Sequence, residues 1–441
     1  MPKLLIIQAA TYHSPGQRRP LRIKKRKMVG AVMPYLAAMA PKEWQVTLHD
    51  DAIEEPDYDG RYDVVAIAVR TVTSWRAFEI ADKFRDRGVT VIMGGPHASF
   101  YHDEMTDHAD AVCIGEGEEI FAQMLSDAAA GRLKRVYRRS DVADLAGMPM
   151  PRWDLLNPKH YVFYKPYIIQ QSRGCPYTCD FCAERRLYGD YGWRHRPPEE
   201  IVAEIKACGS RHIFFAASQF VGHKGRTMEL LEALVPLKIH WSALFSPRFG
   251  LDAEFLDLAK RSGLLHVNMG IESISQSTLQ SMHKDFNHSQ TYVEMVENLN
   301  ARNISYSFNF VIGADADTPD VFDTTLKFLI EHKVPAAYFN VMVPLRGTPL
   351  YDRMKQCGRI LDEENMERWA GVTCHFEPLH MTAAELKDGV ARMQRAFYSW
   401  GSMARRLRLP RTLADFASWN INLIERKVAR HLEFMNEFSE F

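Results

Sequence analysis

The 441-residue chain lacks several things, and each absence closes off a class of protein. It has no apolar run near the ~18 residues that a membrane-spanning helix requires. The stretch Leu4 to Ala10 is short, lacks signal-type flanks and reads as a first strand. Net charge is missing too. Fifty-five Lys+Arg offset fifty-five Asp+Glu, whereas a chain built to hold nucleic acid is usually basic. Cysteine is scarce: seven residues, odd in number and scattered, do not make a disulfide framework, and a reducing cytoplasm is the expected compartment. There is no internal repeat and no low-complexity tract. What remains is ordinary globular composition, 46% hydrophobic and 25% charged, at a length that predicts two or three domains.

Short buried runs alternate with helical patterns over residues 1–138. Strands are expected at Lys3–Gln8, Trp44–His49, Val64–Val69, Val89–Met93 and Ala111–Ile114, with a helix over Arg76–Arg87. That alternation predicts a Rossmann-like, doubly wound parallel sheet, which binds ligands beyond the carboxyl ends of its strands. A proline-interrupted linker follows (139–164). The alternation resumes over 165–355, with strands near 168–172, 212–216, 240–245, 265–271, 305–312 and 337–343. Six such units make a partial (β/α)6 TIM-like barrel, whose chemistry belongs at the same end of its strands. Residues 356–441 read as a mainly helical extension.

Three of the seven cysteines fall within eight residues, as Cys175-Pro176-Tyr177-Thr178-Cys179-Asp180-Phe181-Cys182. Three thiolates on one loop can ligate three irons of a [4Fe–4S] cluster and leave the fourth open to a small molecule. The alternative is a structural zinc site, which needs a fourth ligand such as His195.

The C-x3-C-x2-C loop after a first barrel strand resembles the radical S-adenosylmethionine superfamily. The resemblance implies a cluster held by Cys175, Cys179 and Cys182, with Phe181 as the aromatic before the third cysteine. It also implies reductive cleavage of S-adenosylmethionine to a 5′-deoxyadenosyl radical, with electrons from an external low-potential donor of flavodoxin or ferredoxin type. Gly270-Ile271-Glu272-Ser273 resembles the family's Gly-x-Glu-Ser, implying that Glu272 and Ser273 contact S-adenosylmethionine. Val311-Ile312-Gly313 resembles the stretch lining the adenine. Pro344 to Tyr351 resembles a Pro-x-Pro-Gly-Thr-Pro-Leu-Tyr segment, with Arg346 in place of the second proline. One departure stands out. The acidic pair expected after the second strand is replaced by Phe215-Ala216-Ala217-Ser218-Gln219-Phe220, so Ser218 and Gln219 are the expected neutral substitutes as partners of the amine.

The N-terminal pattern is similar to the cobalamin-binding domain fused to one branch of that superfamily. It rests on Arg70, Thr71 and Thr73 after the strand Val64–Val69, the turn Gly94-Gly95-Pro96-His97, and Gly115-Glu116-Gly117-Glu118. These are the expected cobalamin contacts. Many cobalamin domains carry Asp-x-His-x-x-Gly. Here the place reads Thr11-Tyr12-His13-Ser14-Pro15-Gly16, and His13 without its aspartate is read as a loop histidine rather than a cobalt ligand. The run Arg18–Lys27 has seven basic residues in ten and reads as a solvated loop. Contact with an anionic ligand or a lipid surface is its alternative, to which Arg405-Arg406-Leu407-Arg408 adds slight weight. Phe416, Trp419, Phe434 and Phe438 are read as packing.

These readings converge on a cobalamin-dependent radical S-adenosylmethionine enzyme. The simplest expectation is a C-methyltransferase acting on an unactivated carbon of a small-molecule, lipid or tetrapyrrole substrate. A cyclase or other bond-forming enzyme of the same branch is the alternative, and a non-catalytic cobalamin or redox-binding protein the distant one.

Overall fold

The computed structural model describes residues 1–14, 17–139, 141–188, 192–363 and 373–430, with the backbone alone at 13, 14, 17 and 185. Apolar runs of four to six residues form the first sheet: β1 (Lys3–Gln8), β2 (Gln45–Asp50), β3 (Val64–Ala68), β4 (Thr90–Gly94), β5 (Ala111–Ile114) and the three-residue β6 (Val136–Arg138). All pairings are parallel, in the order β2-β1-β3-β4-β5-β6. Leu5, Ile7, Val65 and Ile67 face one core and Leu4, Ile6, Val64 and Ala66 the other, so both faces are buried. The layers over them are α1 (Val32–Met39), α2 (Ser74–Arg85), α3 (Pro96–His108) and α4 (Ile120–Ala129). The strand order reverses at β1, which opens a crevice above the ends of β1 and β3.

The second sheet takes its strands in chain order: β7 (Tyr167–Ile169), β8 (His212–Phe215), β9 (His240–Leu244), β10 (Leu264–Glu272), β11 (Ser305–Ile312) and β12 (Ala336–Val341), all parallel. This is the expected six-stranded partial barrel. Between its strands run α5 (Glu184–Tyr188), α6 (Pro198–Cys208), α7 (Lys224–Leu234), α8 (Ala253–Arg261), α9 (Gln276–Ser281), α10 (Tyr292–Ala301) and α11 (Val321–Glu331). Period two sorts each strand. Trp241, Val267, Met269, Tyr306, Phe308 and Phe339 pack outward into one core, while Ser242, His266, Asn268, Ser307, Asn309 and Asn340 take the inward positions.

Among the described residues four helices follow the barrel: α12 (Pro349–Gln356), α13 (Ala383–Phe397), α14 (Trp400–Arg406) and α15 (Leu413–Arg430). The last closes the base of the barrel, where Ser418 Oγ lies 3.0 Å from the inward Ser305 Oγ. Arg406 is not part of a surface patch. It is buried over the Phe397 ring, donates to the carbonyls of Val334, Pro335 and Phe397, and burial pushes its guanidinium down to about 10.

The first basic run is also tied down rather than fully solvated. Arg26 is buried on Asp50 at 2.7 Å and Arg22 reaches Asp51 at 3.0 Å, leaving Lys24 and Lys25 exposed. Just beyond, Val29 lies against β7, with Ile168 N–H donating to Val29 O at 3.0 Å. The N-terminal segment therefore covers the edge strand of the barrel. Phe434, Phe438, Pro15, Gly16 and the side chain of His13 lie outside the described residues. Among the described residues, no helix is long and apolar enough to cross a membrane.

Candidate active site

The loop carrying the three cysteines leaves β7 through a two-residue ladder in which Ser172–Arg173 pairs antiparallel with Arg194–His195. Gly174, at φ +81°, makes the turn into the loop. A Cβ there would sit 2.0 Å from the carbonyl oxygen of Gly192, so only glycine fits. The far side is pinned by two other parts of the barrel mouth. The Tyr177 ring stacks on Phe286 with centroids 3.9 Å apart. Buried Asp180 accepts from Arg353 at 2.8 Å, and its carbonyl accepts from Leu350 N–H at 3.1 Å. The segment from Gly347 to Tyr351 is thus more than a turn. Thr348 caps α12 through Tyr351 N–H at 3.2 Å, Pro349 takes the first helical position, and the helix grips the cysteine loop.

All three thiols are free. Burial pushes Cys175 up to about 11 and Cys179 up to about 12, and raises Cys182, so burial works against the thiolate at each and a bound cation would favour it. Among the described residues no three His, Cys, Asp or Glu side chains converge on a position for one metal ion. A single zinc requires convergence; a cubane, in which each thiolate binds its own iron, does not. The donor set fits the cluster. His195 Nδ1 instead sits 3.2 Å from Arg196 O.

Glu272 ends β10 on a bulge, at φ +61°, a left-handed conformation that costs a non-glycine residue on the order of 1–2 kcal/mol. The bend brings its carboxylate to Lys284 Nζ at 2.6 Å. Burial alone would lower the Lys284 ammonium, but Glu272 and the neighbouring cysteines hold it above its usual value. Gly270 makes the fold-back feasible, since a Cβ there would meet Glu272 Oε1 at 2.5 Å. Lys284 Nζ also lies 5.9 Å from the Phe181 ring centroid. Ser273 is buried and its Oγ accepts from Ser275 N–H at 3.1 Å. Ile312 packs into the outer core, and Gly313 N–H donates to Asp317 at 2.9 Å, which closes the end of β11.

Of the two neutral substitutes, Gln219 is committed elsewhere, its Oε1 accepting from Ser246 N–H at 3.1 Å. Exposed Ser218 stands near Glu184, a carboxyl two residues beyond Cys182 that sequence reasoning missed; burial raises it, and the nearby Ser218 hydroxyl and Gly174 backbone act in the opposite direction.

The N-terminal candidates divide. Thr73 caps its own turn, its hydroxyl 3.1 Å from Arg70 O and 3.2 Å from Arg70 N. His97 is fully buried: Nδ1 is 3.3 Å from Thr71 Oγ1, and Nε2 lies 2.8 Å from Glu104 Oε1 without a hydrogen bond between them. Glu116 reaches into the barrel half, accepting from Arg173 at 2.9 Å, from Arg194 at 2.7 Å and from Ala143 N–H at 2.6 Å. Burial would raise this carboxyl, but these donors hold it below the usual range. Glu118 also pairs with Arg173. Arg173 and Arg194, which no spacing rule singled out, thus bind the Gly115–Glu118 loop to the strands flanking the cysteines. Arg70 is exposed, and the glycines complete the set. Gly94 and Gly95 are packed against Cys113 and the Val69 backbone, whereas a Cβ at Gly115 or Gly117 would meet nothing within 4 Å. That open backbone beyond the end of β5 fits a large flat ligand; His97 and Glu116 face the protein.

Comparison with known proteins agrees with this geometry. Residues 169–329 match the radical SAM superfamily and residues 31–125 match the B12 binding domain. The chain is 29% identical over 405 residues to the bacteriochlorophyllide d C-12(1)-methyltransferase of Chlorobaculum tepidum, covering 89% of this chain and 88% of the relative. It is 25% identical over 343 residues to the anaerobic magnesium-protoporphyrin IX monomethyl ester cyclase of Cereibacter sphaeroides, covering 70% and 55%. The fold matches the methyltransferase TsrM of Kitasatospora setae, solved with cobalamin and a [4Fe–4S] cluster, at a TM-score of 0.68 and 15% identity, over 98% of this chain and 100% of that one. The cysteine loop and the Glu272 bulge thus lie in a radical SAM domain, and the chain carries a B12-binding domain on the N-terminal side of it.

Proposed function

We propose that this enzyme is a cobalamin-dependent radical S-adenosylmethionine C-methyltransferase acting on an unactivated carbon of a small molecule. The observation that carries the reading is the junction at Glu116. Arg173, two residues before Cys175, and Arg194 both bond to the loop whose glycines present open backbone to a corrin. A methyl donor and a radical source must share one chamber, and holding both partners in place removes much of the entropic barrier to their reaction. When bound, the cluster with S-adenosylmethionine supplies a radical that opens a C–H bond, and cobalamin supplies the methyl group.

In this reading Cys175, Cys179 and Cys182 hold the cluster, while Glu272, set by Lys284, and Ser273 orient S-adenosylmethionine at the mouth. Ile312 and Gly313 shape the adenine side. Arg70, Thr71, Gly115 and Gly117 border the corrin. The inward Asn268, Asn309 and Asn340 offer the substrate amide groups. Electrons come from an external low-potential donor of flavodoxin or ferredoxin type. A tetrapyrrole or lipid is the favoured substrate class, given the bacteriochlorophyllide relative. The cyclase relative favours a second reading, bond formation without methyl transfer.

One experiment separates them. Protein purified anaerobically from cobalamin-fed cells is expected to hold about four irons and one cobalt, and to move label from methyl-labelled S-adenosylmethionine into product. Iron without cobalt rejects methyl transfer through cobalt. Iron and cobalt with an unlabelled, ring-closed product selects the cyclase reading.

A further inference from the structure

The helix that closes the barrel has an outer face that the barrel does not use. On α15, Ala414, Ser418, Asn422, Val428 and Ala429 are buried. The helical period brings Leu413, Phe416, Asn420, Leu423, Lys427 and Arg430 to the opposite side, and all six are exposed. Phe416, expected from the sequence to pack, is 57% exposed, and Leu413 and Leu423 are 52% and 48% exposed. Leu409, in the loop leading into the helix, is 70% exposed. Single exposed apolar side chains are ordinary, but three on one helix face with a fourth beside its start form a patch.

The surroundings of this patch are basic. The chain as a whole is neutral, yet residues 405–430 hold seven Lys+Arg and two Asp+Glu. Neither acid is free to balance them. Asp415 accepts from Thr412 Oγ1 at 2.8 Å, and burial at the barrel base raises the Glu425 carboxyl. Arg405, Arg408 and Arg411 are exposed, and none forms a salt bridge among the described residues. The first basic run adds to the excess: repulsion from Lys427 joins burial in lowering the Lys27 ammonium. Arg405 and Arg408 also border a cleft with Lys333, Glu297 and Glu331, whose mixed charge favours no anion. The positive excess belongs to the outer face.

An apolar strip flanked by cations fits one kind of surface. At a bilayer interface, aliphatic and aromatic side chains enter the acyl boundary while Lys and Arg reach the lipid phosphates. A second copy of this chain fits poorly, because pairing the face with itself sets cation against cation. We propose that α15 and the loop before it dock this enzyme on a membrane surface that contains anionic lipid. Leu409, Leu413, Phe416 and Leu423 enter the interface, and Arg405, Arg408, Arg411 and Lys427 meet the phosphates. The face lies at the base of the barrel, so docking leaves the mouth with its cysteine loop uncovered.

The test is co-sedimentation of the anaerobically purified full-length enzyme with two kinds of vesicle, phosphatidylcholine alone and phosphatidylcholine mixed with phosphatidylglycerol. Binding to the anionic vesicles is expected to exceed binding to the neutral ones by about 100-fold and to weaken as salt is raised. The triple variant Arg405→Gln, Arg408→Gln, Arg411→Gln is expected to lose about 100-fold on anionic vesicles, at about 5-fold per cation. Leu413→Ser with Phe416→Ser is expected to lose a similar amount, about 10-fold for each side chain withdrawn from the interface. Iron content and far-ultraviolet circular dichroism should stay as in wild type, since all five side chains are exposed. Should either multiple variant misfold, Arg411→Gln and Phe416→Ser alone are read the same way, at about 5-fold and about 10-fold. Wild-type protein that ignores both kinds of vesicle, or binds them equally, overturns the proposal. Unchanged binding in either folded variant does the same. Sedimentation velocity tests the remaining occupant: a wild-type dimer that Leu413→Ser with Phe416→Ser converts to monomer, with vesicle binding kept, assigns the face to a second copy and overturns membrane docking.

Discussion

The two sheets treat their charged residues in opposite ways. At the mouth of the barrel, Glu272 is held in a left-handed backbone conformation, and among the described residues no cation is paired with the buried carboxyl of Glu184. At the ligand end of the N-terminal sheet, Glu116 is saturated by two arginines, His97 is enclosed beside Thr71 and Glu104, and Thr73 bonds to its own turn. Strain and uncompensated charge persist where a ligand offsets them. The N-terminal end keeps instead open backbone at Gly115 and Gly117, which suits a ligand recognised by shape and amide contacts. In the proposed reading the acidic residues of a motif thus carry different work in the two halves: at the barrel they meet the ligand, and at the sheet they dock the barrel.

The sharpest way to break this comparison is at the cysteines. Cys179→Ala is expected to abolish iron retention and all cleavage of S-adenosylmethionine, because two thiolates cannot hold the cluster in place. An intact cluster with activity would sink the assignment of this loop.

Next in size is the junction. Glu116→Ala leaves Arg173 and Arg194, both largely buried, without their shared carboxylate. The expected loss is about 3 kcal/mol in denaturant titrations, the scale of breaking a buried ion pair. Iron should fall along with cobalt, because Arg173 borders the cysteine loop. Gly117→Leu is the converse. Its side chain enters open space, so cobalt should fall while iron and stability stay. If Glu116→Ala removes cobalt alone and leaves stability unchanged, Glu116 is a ligand residue and the contrast between the sheets fails.

Glu272→Ala is expected to spare iron and weaken binding of S-adenosylmethionine by about 10- to 100-fold, since it also frees Lys284 from its partner. Affinity unchanged by calorimetry would remove Glu272 from the site.

How much of this was legible follows from sequence distance. The cysteine loop and the Gly270–Ser273 segment were readable because each carries its chemistry within eight residues. The parallel strands were placed to within three residues because a strand buried on both faces is a continuous apolar run. β6 was missed, being three residues of which only Tyr137 is buried. Glu116 was read as a corrin contact because nothing local shows Arg173, 57 residues away, closing on it. Arg406 looked like surface charge because three arginines in four residues suggest it, yet its neighbours alone stay outside.

The smallest effect tests whether every lone carboxylate signals a ligand. Glu425 on α15 lies at the base of the barrel, and burial pushes its carboxyl up to about 7. It resembles Glu184 in lacking a cation among the described side chains, but it stands at the end of the barrel away from the cysteines. Its folded pKa is above the unfolded one, so the protonated form is the one folding favours. The cost of ionising it is absent below about pH 4, grows as pH rises toward 7 and stays constant beyond. At 1.36 kcal/mol per unit the full cost approaches roughly 3 kcal/mol, and partial exposure reduces it to about 2. Glu425→Gln should therefore melt close to wild type at pH 5 and several degrees above it at pH 8, with iron content and affinity for S-adenosylmethionine unchanged. A variant that loses stability at pH 8 would mean that ionised Glu425 has a partner after all. A variant that loses affinity would extend the ligand-facing charge from the mouth of the barrel to its floor.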